Sequence, residues 1–176
     1  MLLTLYDFDG GNMTNSAVAV ANYFVRKSLE TGKELTPMKV LKLVYIAHGW
    51  NLALYDEPLI SDSIQAWKFG PVIPSVYQAF RVFRNSQITM MSPHTGNSEL
   101  SKKDSELLDR IWDVYGDYDG IQLSAITHRE NTPWDTVWNK QGGKYSLGAT
   151  IPDNIIETHY KLSLIHISEP TRRYAI

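Results

Sequence analysis

With 176 residues, 43% of them hydrophobic and 20% charged, the chain has the make-up of one ordinary globular domain with a sizeable core. Its formal charge of -2 gives no electrostatic grip on nucleic acid or on an anionic membrane surface, so neither is an expected partner. The absence of cysteine removes disulfides, thiolate catalysis and cysteine-ligated zinc, and it fits a reducing cytoplasm.

Residues 1–12 lack the basic start and apolar core of a signal peptide, and no apolar run approaches the roughly 18 residues of a membrane span. Asp9-Gly10-Gly11-Asn12 is a turn-rich lead into Met13-Thr14-Asn15-Ser16, which reads as a start followed by a helix cap. Residues 1–12 are therefore expected to be a non-native or disordered lead, with the domain beginning at Met13. Val18, Ala21, Phe24 or Val25, Ser28 and Leu29 then repeat at helical spacing up to Gly32, which predicts a first helix near 16–31. Thr36-Pro37 is a cap followed by a first-turn proline. Val40, Leu43, Val44, Ala47, Trp50 and Leu54 continue from it, and Asp56-Glu57-Pro58 stops the helix. Leu41, Tyr45 and Ile46 add apolar groups on the other side, so this helix is expected to be central and packed on most faces.

Ile64, Ala66 and Trp67 predict a short strand leading into Trp67-Lys68-Phe69-Gly70-Pro71-Val72-Ile73-Pro74, where two prolines each fix φ and remove a backbone donor. That stretch reads as a rigid elbow. Pro74 opens a helix to about Phe83, Gln87–Met91 is expected as a second short strand, and residues 92–97 form a loop. Ser101-Lys-Lys-Asp104 resembles a capping box before a helix through Leu107, Leu108, Ile111, Trp112 and Tyr115 to Gly116. Asp119-Gly120 restarts a helix toward His128, and Pro133-Trp134 opens a short one with Val137 and Trp138. Gln141-Gly142-Gly143 breaks the chain, and Pro152 starts the last helix through Ile155, Ile156 and Tyr160. The expected fold is mainly α: a single compact multi-helix domain with a small β-hairpin or short strands.

The segment from Leu162 to Arg172 resembles the in-frame translation of a transposase adapter used in short-read sequencing, and Arg173 and Ile176 fit its continuation. Residues 162–176 are accordingly expected to be non-native. Without them the net charge becomes -3, and without Asp7 and Asp9 as well it becomes -1. The domain proper is expected to span 13–161, and His166 and Glu169 carry no functional weight.

Few residues offer chemistry. His48, His94, His128 and His159 have no metal-ligand spacing, and no glycine-rich phosphate loop is present, so no metal or cofactor is expected. His48, on an apolar helix, reads as a core histidine bonded to backbone. His128 sits with Thr127 and Glu130 at a helix end before a proline turn; a capping role there outweighs general acid–base work with Glu130 as orienting partner. Ser124 has no nucleophile-elbow context. Lys39 and Lys42, with Arg26 and Lys27, read as a solvated basic helix surface, and Arg81 and Arg84 beside Phe80 and Phe83 lack any accompanying DNA-binding signature.

Three segments in order, Leu35–Ala47, Ala66–Tyr77 and Leu123–Trp134 with its Thr127-His128 and Pro133-Trp134 pairs, resemble the Panacea domain of SocA-like antitoxins, a family that includes phage-associated GepA-like proteins. Ala21-Asn-Tyr-Phe24 fits as well, and Val40 departs from the leucine usual there. The resemblance covers about residues 15–161. It implies a cytoplasmic antitoxin that neutralises a cognate toxin by direct protein contact, encoded beside it and often in prophages, with no enzymatic activity of its own. Trp67, Lys68, Phe69, Gly70, Pro71, Thr127, His128 and Trp134 are the family-motif or partner-binding candidates. The alternatives are a phage-associated hydrolase built on His128 and Glu130, and a DNA-binding regulator. Exposed aromatics among Trp67, Phe69 and Trp134 would suit a protein interface, whereas core packing is the preferred reading of each tryptophan.

Overall fold

The computed structural model describes residues 14–95 and 99–168, with the side chains of Ile167 and Ser168 left aside. The expected lead at 1–12, Met13 and the part of 162–176 beyond Ser168 lie outside the described residues. Helix α1 (Ala17–Thr31) starts at Ser16, whose hydroxyl accepts from the Ala19 amide, and ends at Gly32 in the left-handed region. Helix α2 (Pro37–Tyr55) starts at Thr36 with proline in its first turn and ends at Asp56, also left-handed.

α2 is the axis of the molecule. Helices α1, α4 (Lys102–Tyr115), α5 (Gly120–His128) and α7 (Asp153–Ser168) all pack around it, so it is buried on nearly every side. Its Val40, Leu43, Val44 and Ala47 are completely buried, and α1 adds Val20, Phe24 and Val25. Ser101 caps α4 by accepting from the Asp104 amide. The box is half made, because the Asp104 carboxylate accepts from the Asn15 side chain instead. Asp119 and Gln122 form both halves of a capping box on α5.

Two short strands, β1 (Gln65–Trp67) and β2 (Gly70–Val72), pair antiparallel with Trp67 opposite Gly70. The elbow is thus itself the hairpin. The second strand expected at Gln87–Met91 is absent; those residues run as a loop whose Ile88 amide donates to the Leu35 carbonyl while the Gln87 side chain accepts from the Leu35 amide. That segment has β-forming residues but meets the entrance of α2 rather than a strand edge. The other edge of β1 is met by residues 149–151, where the Ala66 amide donates to the Ala149 carbonyl and the Ile151 amide to the Ile64 carbonyl. Helix α3 (Pro74–Phe80) passes into a 3-10 turn at Arg81–Phe83, so the helix expected to about Phe83 tightens over its last turn. A short helix α6 (Pro133–Asp135) continues as a π turn over Thr136–Lys140. Leu162–Ser168 continue α7.

Among the described residues no helix is long and apolar enough to cross a membrane.

A clasped hairpin as the candidate functional site

Lys68 and Phe69 form the turn between β1 and β2, flanked by Trp67 and Gly70. A two-residue turn leaves carbonyls that the sheet cannot satisfy, and here three side chains from three helices take them. The Lys42 ammonium, from α2, donates to the Phe69 carbonyl at 3.0 Å and to the Pro71 carbonyl at 2.9 Å. The Ser124 hydroxyl, from α5, donates to the same Phe69 carbonyl at 2.9 Å. The Trp134 indole, from α6, donates to the Trp67 carbonyl at 2.7 Å. Helices distant in sequence are thereby fastened to one turn.

Gly70 makes the clasp possible. Its φ is 109°, and a Cβ there would stand 2.7 Å from the Lys42 nitrogen and 3.5 Å from the His128 Cβ. Lys42 is only 2% exposed and faces carbonyl oxygens rather than a carboxylate, and burial pushes its pKa down to about 7. One turn earlier, the buried Lys39 ammonium bonds the Glu34 and Gly116 carbonyls and lies over the Trp112 ring at 5.4 Å. The expected solvated basic surface is therefore corrected at both lysines: each is an internal clamp on backbone oxygen.

His128, half-buried, stands edge-on to Trp134 with ring centres 5.3 Å apart. Its Nδ1 reaches the Ser124 carbonyl and so carries the proton that it donates there. With the Ser124 hydroxyl donating to Phe69, the serine proton points away from the imidazole, and the pair is not arranged as a nucleophile and its base. Glu130 is exposed, and no hydrogen bond or ion pair joins it to His128 among the described residues. Thr127 is buried, its hydroxyl returned to the Leu123 carbonyl of its own helix.

The sequence-derived candidates therefore divide. Gly70, Pro71, Thr127 and Trp134 are buried parts of the clasp and its support, with Trp134 stacked on Trp138. Trp67 is half-buried against Tyr77 and donates to Gln65. Lys68 and Phe69 are exposed, Phe69 at 62% with the lysine ammonium 5.4 Å from its ring centre. Lys42 and Ser124 were missed as site residues. Their signal was present, since a lysine in a helix read as packed on most faces has to find its partners inside.

His48 lies where the core reading put it. It is 1% exposed, with Nδ1 accepting from the Leu59 and Ile60 amides and Nε2 donating to Asp153 at 2.8 Å. Among the described residues no group of three or more histidines and carboxylates is placed to hold a metal ion. A cleft of about 670 Å³ lies elsewhere, between the entrance of α2 and the α4–α5 turn, where Lys33 pairs with Asp117.

No solved structure matches the chain. Among curated proteins it is similar to the protein named Antitoxin SocA of Caulobacter vibrioides (strain NA1000 / CB15N), at 31% identity over 163 residues covering 88% of this chain and 87% of that one. The family model described as antitoxin SocA-like, Panacea domain, matches residues 40–135, which run from α2 through the clasp to α6. Lys42, Ser124 and Trp134, the three side chains that hold the turn, fall within that match, and the chain belongs to the SocA-like antitoxin family by its Panacea domain.

Proposed function

We propose that this protein is the antitoxin of a toxin–antitoxin pair and neutralises its cognate toxin by direct contact, with Lys68 and Phe69 at the hairpin tip anchoring the contact surface. The family membership and the name of the Caulobacter relative support the antitoxin role. The observation that carries the site is Phe69: a residue 62% exposed in a turn whose carbonyls are held by Lys42, Ser124 and Trp134. An aromatic on a main chain already fixed in place costs little backbone freedom on binding, and aromatic anchors supply much of the energy of protein interfaces. Lys68 has no carboxylate partner among the described residues, so a carboxylate on the toxin completes it. No catalytic step belongs to this reading, and its setting is the cytoplasm.

Co-expression with the product of the adjacent gene tests it. Residues 13–161 are expected to restore growth, and Phe69→Asp to abolish protection without altering the helical signal or the melting temperature. Toxicity unchanged by the wild-type domain, or full protection by Phe69→Asp, overturns the reading.

A further inference from the structure

A second cleft, of about 370 Å³, opens beside the C-terminal half of α2, between α4, α5 and α7. Four rings wall it: Tyr45 and Trp50 from α2, Tyr115 from the end of α4 and Tyr160 from α7. Trp50 and Tyr45 meet Tyr160 edge to face at 5.2 and 6.2 Å, and the Trp50 indole donates to the Tyr115 hydroxyl at 3.3 Å. Gly49 admits Tyr160 to this position, since a Cβ there would stand 2.2 Å from the tyrosine ring.

Two features separate this cleft from ordinary core packing. The Tyr45 hydroxyl is buried with no hydrogen-bond partner, a donor left unspent where a phenylalanine would fill the same space. Three neighbouring hydroxyls are spent: Thr127 on the Leu123 carbonyl, Thr132 on the Arg129 carbonyl and Ser163 on the His159 carbonyl. The second feature is charge. Arg129 and His159 stand at the cleft and no carboxylate lines it. The Arg129 side chain is exposed and makes no ion pair among the described residues. Burial, and then the Arg129 charge, hold His159 below its ordinary pKa, so the standing charge belongs to Arg129.

An aromatic box alone would suit a cation, but an unpaired guanidinium at the rim repels one and attracts an anion. We infer that this cleft binds a small aryl or heteroaryl monocarboxylate, its ring against the half-buried Trp50 and Tyr115 and its carboxylate on Arg129. The volume suits one or two fused rings, and the free Tyr45 hydroxyl offers a hydrogen bond to a polar ring substituent. The four rings, Arg129 and His159 all precede Leu162; Ser163 and His166 add to one side only.

Titration of the full chain with indole-3-carboxylate, 4-hydroxybenzoate, benzoate, benzamide and benzylamine, followed by Trp fluorescence and calorimetry, tests this. Carboxylates are expected to bind at least about tenfold more tightly than benzamide, with benzylamine weakest. Arg129→Gln, an exposed substitution, removes that preference. Tyr45→Phe weakens 4-hydroxybenzoate but not benzoate, and leaves the melting temperature unchanged or higher. A short peptide ending in phenylalanine, with its terminus free or amidated, separates a free acid from a captured chain end. The inference is overturned if no carboxylate binds saturably, if benzamide binds as well as benzoate, if Arg129→Gln keeps its affinity for benzoate, or if only the free-ended peptide binds.

Discussion

Phe24 and Gly70 are both buried, and they hold the molecule together in opposite ways. Phe24 fills space between α1 and α4, stacked near Trp112 at 6.2 Å and edge-on to Tyr23 at 6.4 Å, and its contribution is apolar area and close packing. Gly70 contributes by what it lacks, leaving room for the Lys42 ammonium to reach two carbonyls. The helical core tolerates exchanges that conserve volume. The hairpin tolerates almost no change in its buried polar partners, because each carbonyl there depends on one or two named donors. The tip proposed to meet a partner thus stands on a turn held by bonds from three helices.

Phe24→Ala is expected to show the largest loss, about 4 kcal/mol in urea unfolding, from lost transfer energy plus the cavity left behind. Gly70→Ala should follow at about 3 kcal/mol, although it adds one carbon and removes nothing. The new methyl group has to displace the lysine ammonium from its carbonyls, and alanine is strained at a φ of 109°. A Gly70→Ala protein as stable as wild type would mean that the clasp is not a structural determinant.

Lys42→Met is expected to cost about 2 kcal/mol near neutral pH, because the Pro71 carbonyl loses its lysine donor and the Phe69 carbonyl keeps only Ser124. Its pH dependence separates the two regions further. Lys42 has a folded pKa of about 7 against an unfolded value near 10.5, so between those limits the unfolded chain binds more protons than the folded one. Stability contributed by this group therefore rises with pH across that window and is lowest below about 7, where the buried amine is charged. The gap between wild type and Lys42→Met should widen from pH 7 to 9.5 in thermal melts. Phe24→Ala should shift the melts by the same amount throughout. A constant gap for Lys42→Met would show that the carbonyls hold the ammonium charged.

The two regions also differed in how far the sequence disclosed them. Helices α1, α2 and α4 follow from Ser16, Thr36 and Ser101 as caps and from apolar spacings of three and four, which are local signals. Pro71 and Pro74 marked where no helix could run, and the hairpin with its turn at Lys68 and Phe69 occupies that gap. The strand expected at Gln87–Met91 does not form, because that segment carries a β-like composition without an edge to pair with, while the three residues of β2 carry too little pattern to mark a strand. The clasp was hidden for a different reason. Lys42 and Pro71 are 29 positions apart, and Trp134 and Trp67 are 67 apart, so neither bond leaves a trace in local periodicity. The resemblance segments nonetheless contain Lys42, Ser124 and Trp134 as well as the turn, so its signature included the clasp before the geometry explained why those segments go together.

The smallest effect is expected at the end of α7. The domain proper is proposed to include residues 13–161, and the side chains just beyond Lys161 are only partly covered. Leu162 and Ile165 are each more than half exposed, at 53% and 54%, while Leu164 packs partly against the core. Tyr160, one residue upstream of Lys161, is the last large side chain to be buried among the side chains described, and it meets Trp50 and Tyr45 edge to face. Ending the chain at Lys161 should therefore lower unfolding free energy by less than about 1 kcal/mol, the cost of one half-buried leucine and a frayed turn. The clasp should be untouched, so the pH-dependent gap between wild type and Lys42→Met should persist in the shortened chain. A loss above about 3 kcal/mol would place the last turns of α7 among the structural elements of the domain, on the same footing as Phe24.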